Sequence, residues 1–164
     1  MSFDRGGAMY DEEDTDPAEL LEELLEEVAD GFGLECEVSV VREEGVLRGS
    51  VEGEDVGLLI GRRGQTIDAV QHLAQRIVFP GGQPTARVVI DADGYRERRA
   101  AILREEADAA ADEALRLGES VDLDPMPASE RRVVHEYLRE RGDVQTHSEG
   151  EEPERYLVVS PFGE

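Results

Sequence analysis

From Asp16 to Asp91 the apolar residues change their spacing in a fixed order, and that order constrains the fold more than any other feature of the chain. Leu20, Leu21, Leu24, Leu25 and Val28 recur at helical spacing. They follow a start signal, Asp16-Pro17-Ala18-Glu19, with an acid at the N-cap, proline at the first helical position and glutamate at the third. Gly31 and Gly33 end this helix. Leu34, Cys36, Val38 and Val40 then alternate with Glu35, Glu37 and Ser39, a period of two that predicts a strand with one buried face. Glu44-Gly45 turns the chain, and residues 46–52 read as the hairpin partner. Residues 55–61 read as a short helix running into Gly61-Arg62-Arg63-Gly64. Ile67, Val70, Leu73, Ala74, Ile77 and Val78 mark the next helix, the loop between Pro80 and Pro84 closes it, and residues 86–91 make a third strand.

The second half repeats the mixture in a different order. Residues 95–117 have good helix propensity throughout and stop at Gly118, a candidate bridge between two halves. Residues 121–123 read as a short strand, Pro125 and Pro127 precede a helix over 128–141, and strands follow at 144–147 and 155–160. The prediction is an α+β protein of two small units, 17–93 and 97–162, behind an acidic tail over 1–15 that lacks any period and reads as disordered. A length of 164 residues excludes a large multidomain enzyme. The longest apolar runs, such as Val88-Val89-Ile90, fall far below the ~20 residues of a spanning helix. The opening Met-Ser-Phe-Asp-Arg lacks the apolar stretch of a signal peptide, and the expectation is a soluble cytoplasmic protein. A lone cysteine, Cys36, forbids an intrachain disulfide and fits a reducing compartment.

Charge sharpens the question of partners. The net charge of -23 opposes nucleic acid and anionic membrane at face value. Its distribution is uneven: residues 1–30 hold twelve acids and one arginine, a net -11, whereas residues 60–99 hold seven arginines and four acids, a net +3. All 17 cations are arginine, so each phosphate contact can be bidentate.

Gly61-Arg62-Arg63-Gly64 lies inside that basic segment. A glycine at each end of a two-residue turn lets the backbone approach a ligand closely, and the helix behind it presents free N–H groups and the positive end of its dipole. The G-x-x-x-x-G-K-[ST] spacing of a triphosphate loop is absent. Alone, Gly-x-x-Gly is most often a plain helix turn. Between two helices, with a hairpin before and a strand after, it has the layout of a KH module, whose loop clamps about four nucleotides of single strand.

Residues 59–69, Leu-Ile-Gly-Arg-Arg-Gly-Gln-Thr-Ile-Asp-Ala, resemble the KH loop and second helix of the bacterial Jag family, also called KhpB or SpoIIIJ-associated. Residues 91–99 are similar to the segment leaving that family's KH domain, and the helix before the hairpin resembles the type II KH topology. Farther on, Arg131 and His135 stand four apart on one helix face, with Arg139 extending the row and Val133, Val134, Tyr137 and Leu138 on the inward arc. Such a row alone usually decorates a solvated surface. With Thr146-His147-Ser148-Glu149-Gly150 downstream, it resembles the family's C-terminal R-three-H (RxxxH) domain, a small α+β single-strand binder. Many family members carry an additional N-terminal Jag domain and a charged linker; the expectation here is a chain that lacks them.

The resemblance implies a non-catalytic single-stranded RNA-binding protein, an RNA chaperone or post-transcriptional regulator linked to bacterial cell elongation and division. It also implies a small KH-only partner, KhpA, pairing with the KH domain. On this reading Gly61 and Gly64 admit the sugar-phosphate backbone, Arg62 and Arg63 hold phosphates, and Gln65 completes the motif. Ile60 and Ile67 line a floor under unstacked bases. Arg131 and His135 contact a second stretch of RNA, or of single-stranded DNA, with Arg132 and Arg139 as auxiliary charges on an exposed cationic face. A protein-interaction adaptor, in which both folds serve as docking surfaces, is the alternative that the net charge favours. Catalysis has little support: His72 sits among core-facing positions, His147 in a strand-like segment, and neither has a nucleophile in a recognisable motif. Three histidines spaced 63 and 12 residues apart and a single cysteine offer no metal site, and no cofactor is expected.

Overall fold

The computed structural model describes residues 16–81 and 86–163; the tail expected over 1–15 and the Pro84 end of the expected loop lie outside the described residues. Helix α1 (Pro17–Phe32) starts as its signal requires, the Asp16 carboxylate accepting from the Ala18 N–H at 2.9 Å, and is capped at Gly33. Strands β1 (Cys36–Glu43) and β2 (Val46–Gly53) form the antiparallel hairpin, with Val38 opposite Val51 and Val40 opposite Gly49. Helix α2 (Gly57–Ile60), one tight turn over Arg62–Gly64 and helix α3 (Gln65–Val78) then carry the chain to β3 (Arg87–Ala92). β3 lies parallel to β2 in a sheet ordered β1-β2-β3, an arrangement that needs a long crossover, here supplied by α2 and α3.

Leu21, Leu25 and Ala29 of α1 and Ile67, Ala74 and Val78 of α3 cover Leu47, Val51, Val88 and Ile90 of the sheet. The inward positions expected on α3 are corrected in part: Leu73 and Ile77 are 59% and 45% exposed, and His72 faces solvent. The reason lies on the helix's other flank. Gln75 donates to the Ala86 carbonyl at 3.1 Å and accepts from the Val88 N–H at 2.7 Å, and Gln71 accepts from the Ile90 N–H at 2.9 Å. These bonds turn one flank of α3 to the outer edge of β3 and the opposite flank, with Leu73 and Ile77, to water. They also close that edge to further strand pairing.

Helix α4 (Tyr95–Leu117), β4 (Val121–Asp122), α5 (Ala128–Arg141), β5 (Val144–Glu149) and β6 (Tyr156–Pro161) build a second unit, with an antiparallel sheet ordered β4-β6-β5. Small residues on α4, Ala107, Ala111 and Ala114, share a core with Val134 and Leu138 of α5 and Leu157 and Val159 of β6. Tyr137 and Arg141 both donate to Asp108 at 2.7 Å and hold its carboxyl below the usual range, which clamps α5 to α4. The long helix is only partly a bridge: Tyr95 packs on the first core, and from Leu103 onward its buried face belongs to the second. No helix among the described residues is long and apolar enough to cross a membrane.

Candidate nucleic-acid interface

Buried Val56 and Leu59 anchor α2 and fix where the Gly61–Gly64 loop leaves the core. Gly61 has φ 70° and ψ -176°, a conformation essentially confined to glycine. A Cβ there would lie 2.1 Å from Thr66 Oγ1, and one on Gly64 would lie 3.0 Å from the Tyr95 ring. The loop is therefore drawn tightly over the start of α3. The Gln65 N–H donates to the Arg62 carbonyl, and no side chain caps the N-terminus, which leaves the N–H groups that follow, from Thr66 on, as the helix end open to an anion.

Arg62 is exposed and its side chain has no ion pair or hydrogen bond among the described residues, and Gln65 is exposed beside it. Arg63 differs. Its guanidinium donates to the Pro125 carbonyl and lies 3.7 Å from Asp124, so it reaches into the second unit. Ile60 is half-buried at the loop's edge, whereas Ile67, expected in the same floor, is fully buried in the first core. The net basic segment is also thinner than its composition predicts. Of its seven arginines, Arg63, Arg96, Arg98 and Arg99 are bonded to protein acceptors.

On α5 the expected exposed cationic row is corrected at its first member. Arg131 is 8% exposed; it donates to the Met126 carbonyl and to Glu152, both at 2.6 Å. Helical side chains lean toward the N-terminus, which carries this guanidinium back over the Pro125-Met126-Pro127 segment. The rest of the row is exposed: Arg132 pairs with Glu136 at 2.8 Å, His135 Nδ1 sits 2.5 Å from Thr146 Oγ1, and Arg139 has no partner among the described residues. A groove of about 340 Å³ runs between α5 and β5, lined by Arg131, Arg132, His135, Thr146 and His147. His147, which the sequence places only in a strand, is brought to this groove by the pairing of β5 with β6 and the turn at Gly142. Its Nε2 lies 2.8 Å from Glu149.

The two units meet through polar contacts beside the loop. Asp68 accepts from Ser129 at 2.6 Å and from Arg96 at 3.0 Å. Arg99 makes a two-pronged pair with buried Glu130 at 2.6 and 2.9 Å. Burial, and then the nearby Glu130 charge, push the Tyr95 phenol above its ordinary pKa. An open cleft of about 720 Å³ separates Arg62 and Gln65 from the Pro125–Ala128 and Glu152–Glu154 segments. Among the described residues no group of histidine, cysteine and carboxylate side chains is arranged to hold a metal.

Comparison with known proteins follows the same division. The profile of the KhpA/KhpB KH domain matches residues 18–90, and that of the R-three-H domain matches residues 101–161. A protein of Bacillus subtilis (strain 168) named RNA-binding protein KhpB is 34% identical over 152 residues, covering 90% of this chain and 72% of the relative. A protein of the same name from Clostridium symbiosum is 38% identical over 140 residues, 84% of this chain and 63% of the relative. The namesake from Lactiplantibacillus plantarum is 47% identical over 104 residues, 63% of this chain and 32% of the relative. The chain thus spans between about a third and three quarters of the length of these relatives. With a Gly-x-x-Gly loop at the head of α3 in one matched region and the Arg131/His135 helix in the other, the chain belongs to the KhpB family, with a KH domain followed by an R-three-H domain.

Proposed function

We propose that this protein is a non-catalytic single-stranded RNA-binding protein whose two readers are a KH unit over 17–93 and an R-three-H unit over 97–162. The observation that carries this is the uncapped N-terminus of α3 behind Gly61 and Gly64, with Arg62 unpaired beside it among the described residues. Phosphates dock at that helix end and on Arg62, and Ile60 supports an unstacked base. Gln65 flanks the phosphate site. In the second unit Arg132, His135 and Arg139 face the strand, and Arg131 shapes the groove from below. Sequence preference is weak, because phosphate contacts position without specifying. The protein acts in the cytoplasm as an RNA chaperone or post-transcriptional regulator in cell elongation and division, a role suggested by its family resemblance.

Arg62→Asp tests the reading, and does so more cleanly than a change at Arg63, which also holds Pro125. On a mixed-sequence single-stranded RNA the variant is expected to bind about 5-fold more weakly near ~0.1 M salt, with a shallower salt dependence. An unchanged affinity and slope would remove the loop from the RNA site. Deleting residues 1–15 is expected to tighten nonspecific RNA binding about 2-fold by removing acidic charge; weaker binding at matched salt would reject a repulsive role for that segment.

A second reading, a protein-interaction adaptor, draws on Leu73 and Ile77. These side chains stand one turn apart on α3 and are exposed, as is Leu58 on α2. Such a stripe suits docking of the small KH-only protein KhpA, and the two readings are compatible. Leu73→Asp with Ile77→Asp separates them: loss of co-purification with KhpA while RNA affinity stays intact assigns the stripe to the partner.

A further inference from the structure

We propose that one RNA strand runs unbroken from the Gly61–Gly64 loop, across the cleft beside it, to the α5/β5 groove, and that Asp68 is the positioning residue holding the two ends of this track in register. The proposal rests on the RNA-binding reading above and adds the path of the ligand and the residue that sets it.

Continuity comes from shared walls. Ala128 lines both the cleft and the groove. Arg131, which lines the groove, is bonded to Met126 and Glu152, two residues that line the cleft. The Gly61–Gly64 loop forms the cleft's opposite wall through Arg62, and Gln65 continues it. A strand leaving the loop on that side therefore enters a space that opens directly onto the second reader.

Register comes from bonds that join residues far apart in sequence. Ser129, in the first turn of α5, donates to Asp68 in the first turn of α3; Arg96 donates to the same carboxylate, and Arg63 donates to Pro125. Both helix N-termini are thereby tied to each other. A strand held at one end meets the other end at high effective concentration only if that spacing is kept.

Charge sets which side of the strand faces the cleft. Its rim carries Asp124, Glu152 and Glu154, which repel phosphate, while the exposed cation Arg62 lines its loop side and the exposed cation Arg132 lines the groove beyond it. Phosphates are gripped at the ends, and between them the bases turn inward, where a carboxylate can accept from a base amino group. The track thus alternates phosphate, base and phosphate contacts.

The test uses the full chain and mixed-sequence RNAs of ~16 and ~5 nucleotides, the shorter one about the length a single KH loop clamps. With 4-thiouridine near one end of the longer RNA, ultraviolet cross-links are expected on the loop segment, and with the label near the other end on α5 or β5. Both labels marking both segments equally would overturn the track, as would two long strands bound per protein at saturation. Asp68→Ala is expected to weaken the longer RNA about 5-fold and to leave the shorter one unchanged or slightly tighter, since a carboxylate has been removed. Asp68→Asn keeps an acceptor for Ser129 and is expected to recover most of the loss. Equal effects on both lengths, or tighter binding of both, would overturn the positioning role; circular dichroism controls for folding. Wild type that binds neither RNA sinks the RNA-binding reading and the track together, whereas wild type that binds both lengths without these asymmetries sinks the track alone.

Discussion

Arg99→Ala is expected to lower the unfolding free energy by about 3 kcal/mol, the cost of leaving a buried charge without its partner. Glu130 is 5% exposed, and both of its oxygens accept from the Arg99 fork. The hydrogen bonds to Glu130 hold Arg99 above the ordinary arginine pKa against the opposing effect of burial. Removing the arginine strands the carboxylate beside Tyr95 under the junction of the two units. Arg99→Lys restores charge without the planar fork and is expected to recover only part of the loss. The double variant Arg99→Met with Glu130→Leu removes both charges and is expected to be more stable than Arg99→Ala. Urea unfolding followed by circular dichroism measures all three. A loss below about 1 kcal/mol for Arg99→Ala would place this pair among the weak surface bridges.

Gly61→Ala is expected to weaken RNA binding about 10-fold while sparing both cores, the effect of about 1.4 kcal/mol, within the range that local backbone strain can produce. The backbone at φ 70° and ψ -176° excludes a side chain in its own right. The added Cβ would also meet Thr66 at 2.1 Å from Oγ1 and 3.0 Å from the backbone nitrogen, and that nitrogen belongs to the helix end where the proposed function docks a phosphate. Relief requires the loop to lift from α3, which would dismantle the proposed anion site. Gly64→Ala meets only the Tyr95 ring and hydroxyl, at 3.0–3.1 Å, and is strained by its positive φ, so a smaller loss is expected there. Fluorescence anisotropy with labelled RNA, alongside amide spectra of the core, measures both variants. Binding by Gly61→Ala equal to wild type would show that the tight loop is not needed.

The order of elements was legible because it rests on local chemistry. Asp16 caps its helix two residues away, the hairpin pairs residues across one short turn, and α4 and α5 begin and end where propensity, proline and glycine place their ends. The Gly-x-x-Gly loop was legible for the same reason, since its backbone shape is written in residues that touch. Several strand ends drifted, by up to three residues, because strands end where their partners do.

The sequence alone determined the α+β class, the order of the elements, a Gly-x-x-Gly loop at the head of a helix and a later helix with Val134 and Leu138 turned inward. Only the tertiary structure decided which cations remain free. Arg63 finds its acceptor 62 residues away, Arg99 finds Glu130 31 residues away and Arg131 finds Glu152 21 residues away. Asp68 and Ser129, 61 residues apart, join the units by a contact that neither helix implies. Periodicity assigns a side chain to a face of its own element. Whether that face then meets water or a carboxylate depends on how the elements pack, and an ion pair forms only when packing brings its two halves within a few ångströms.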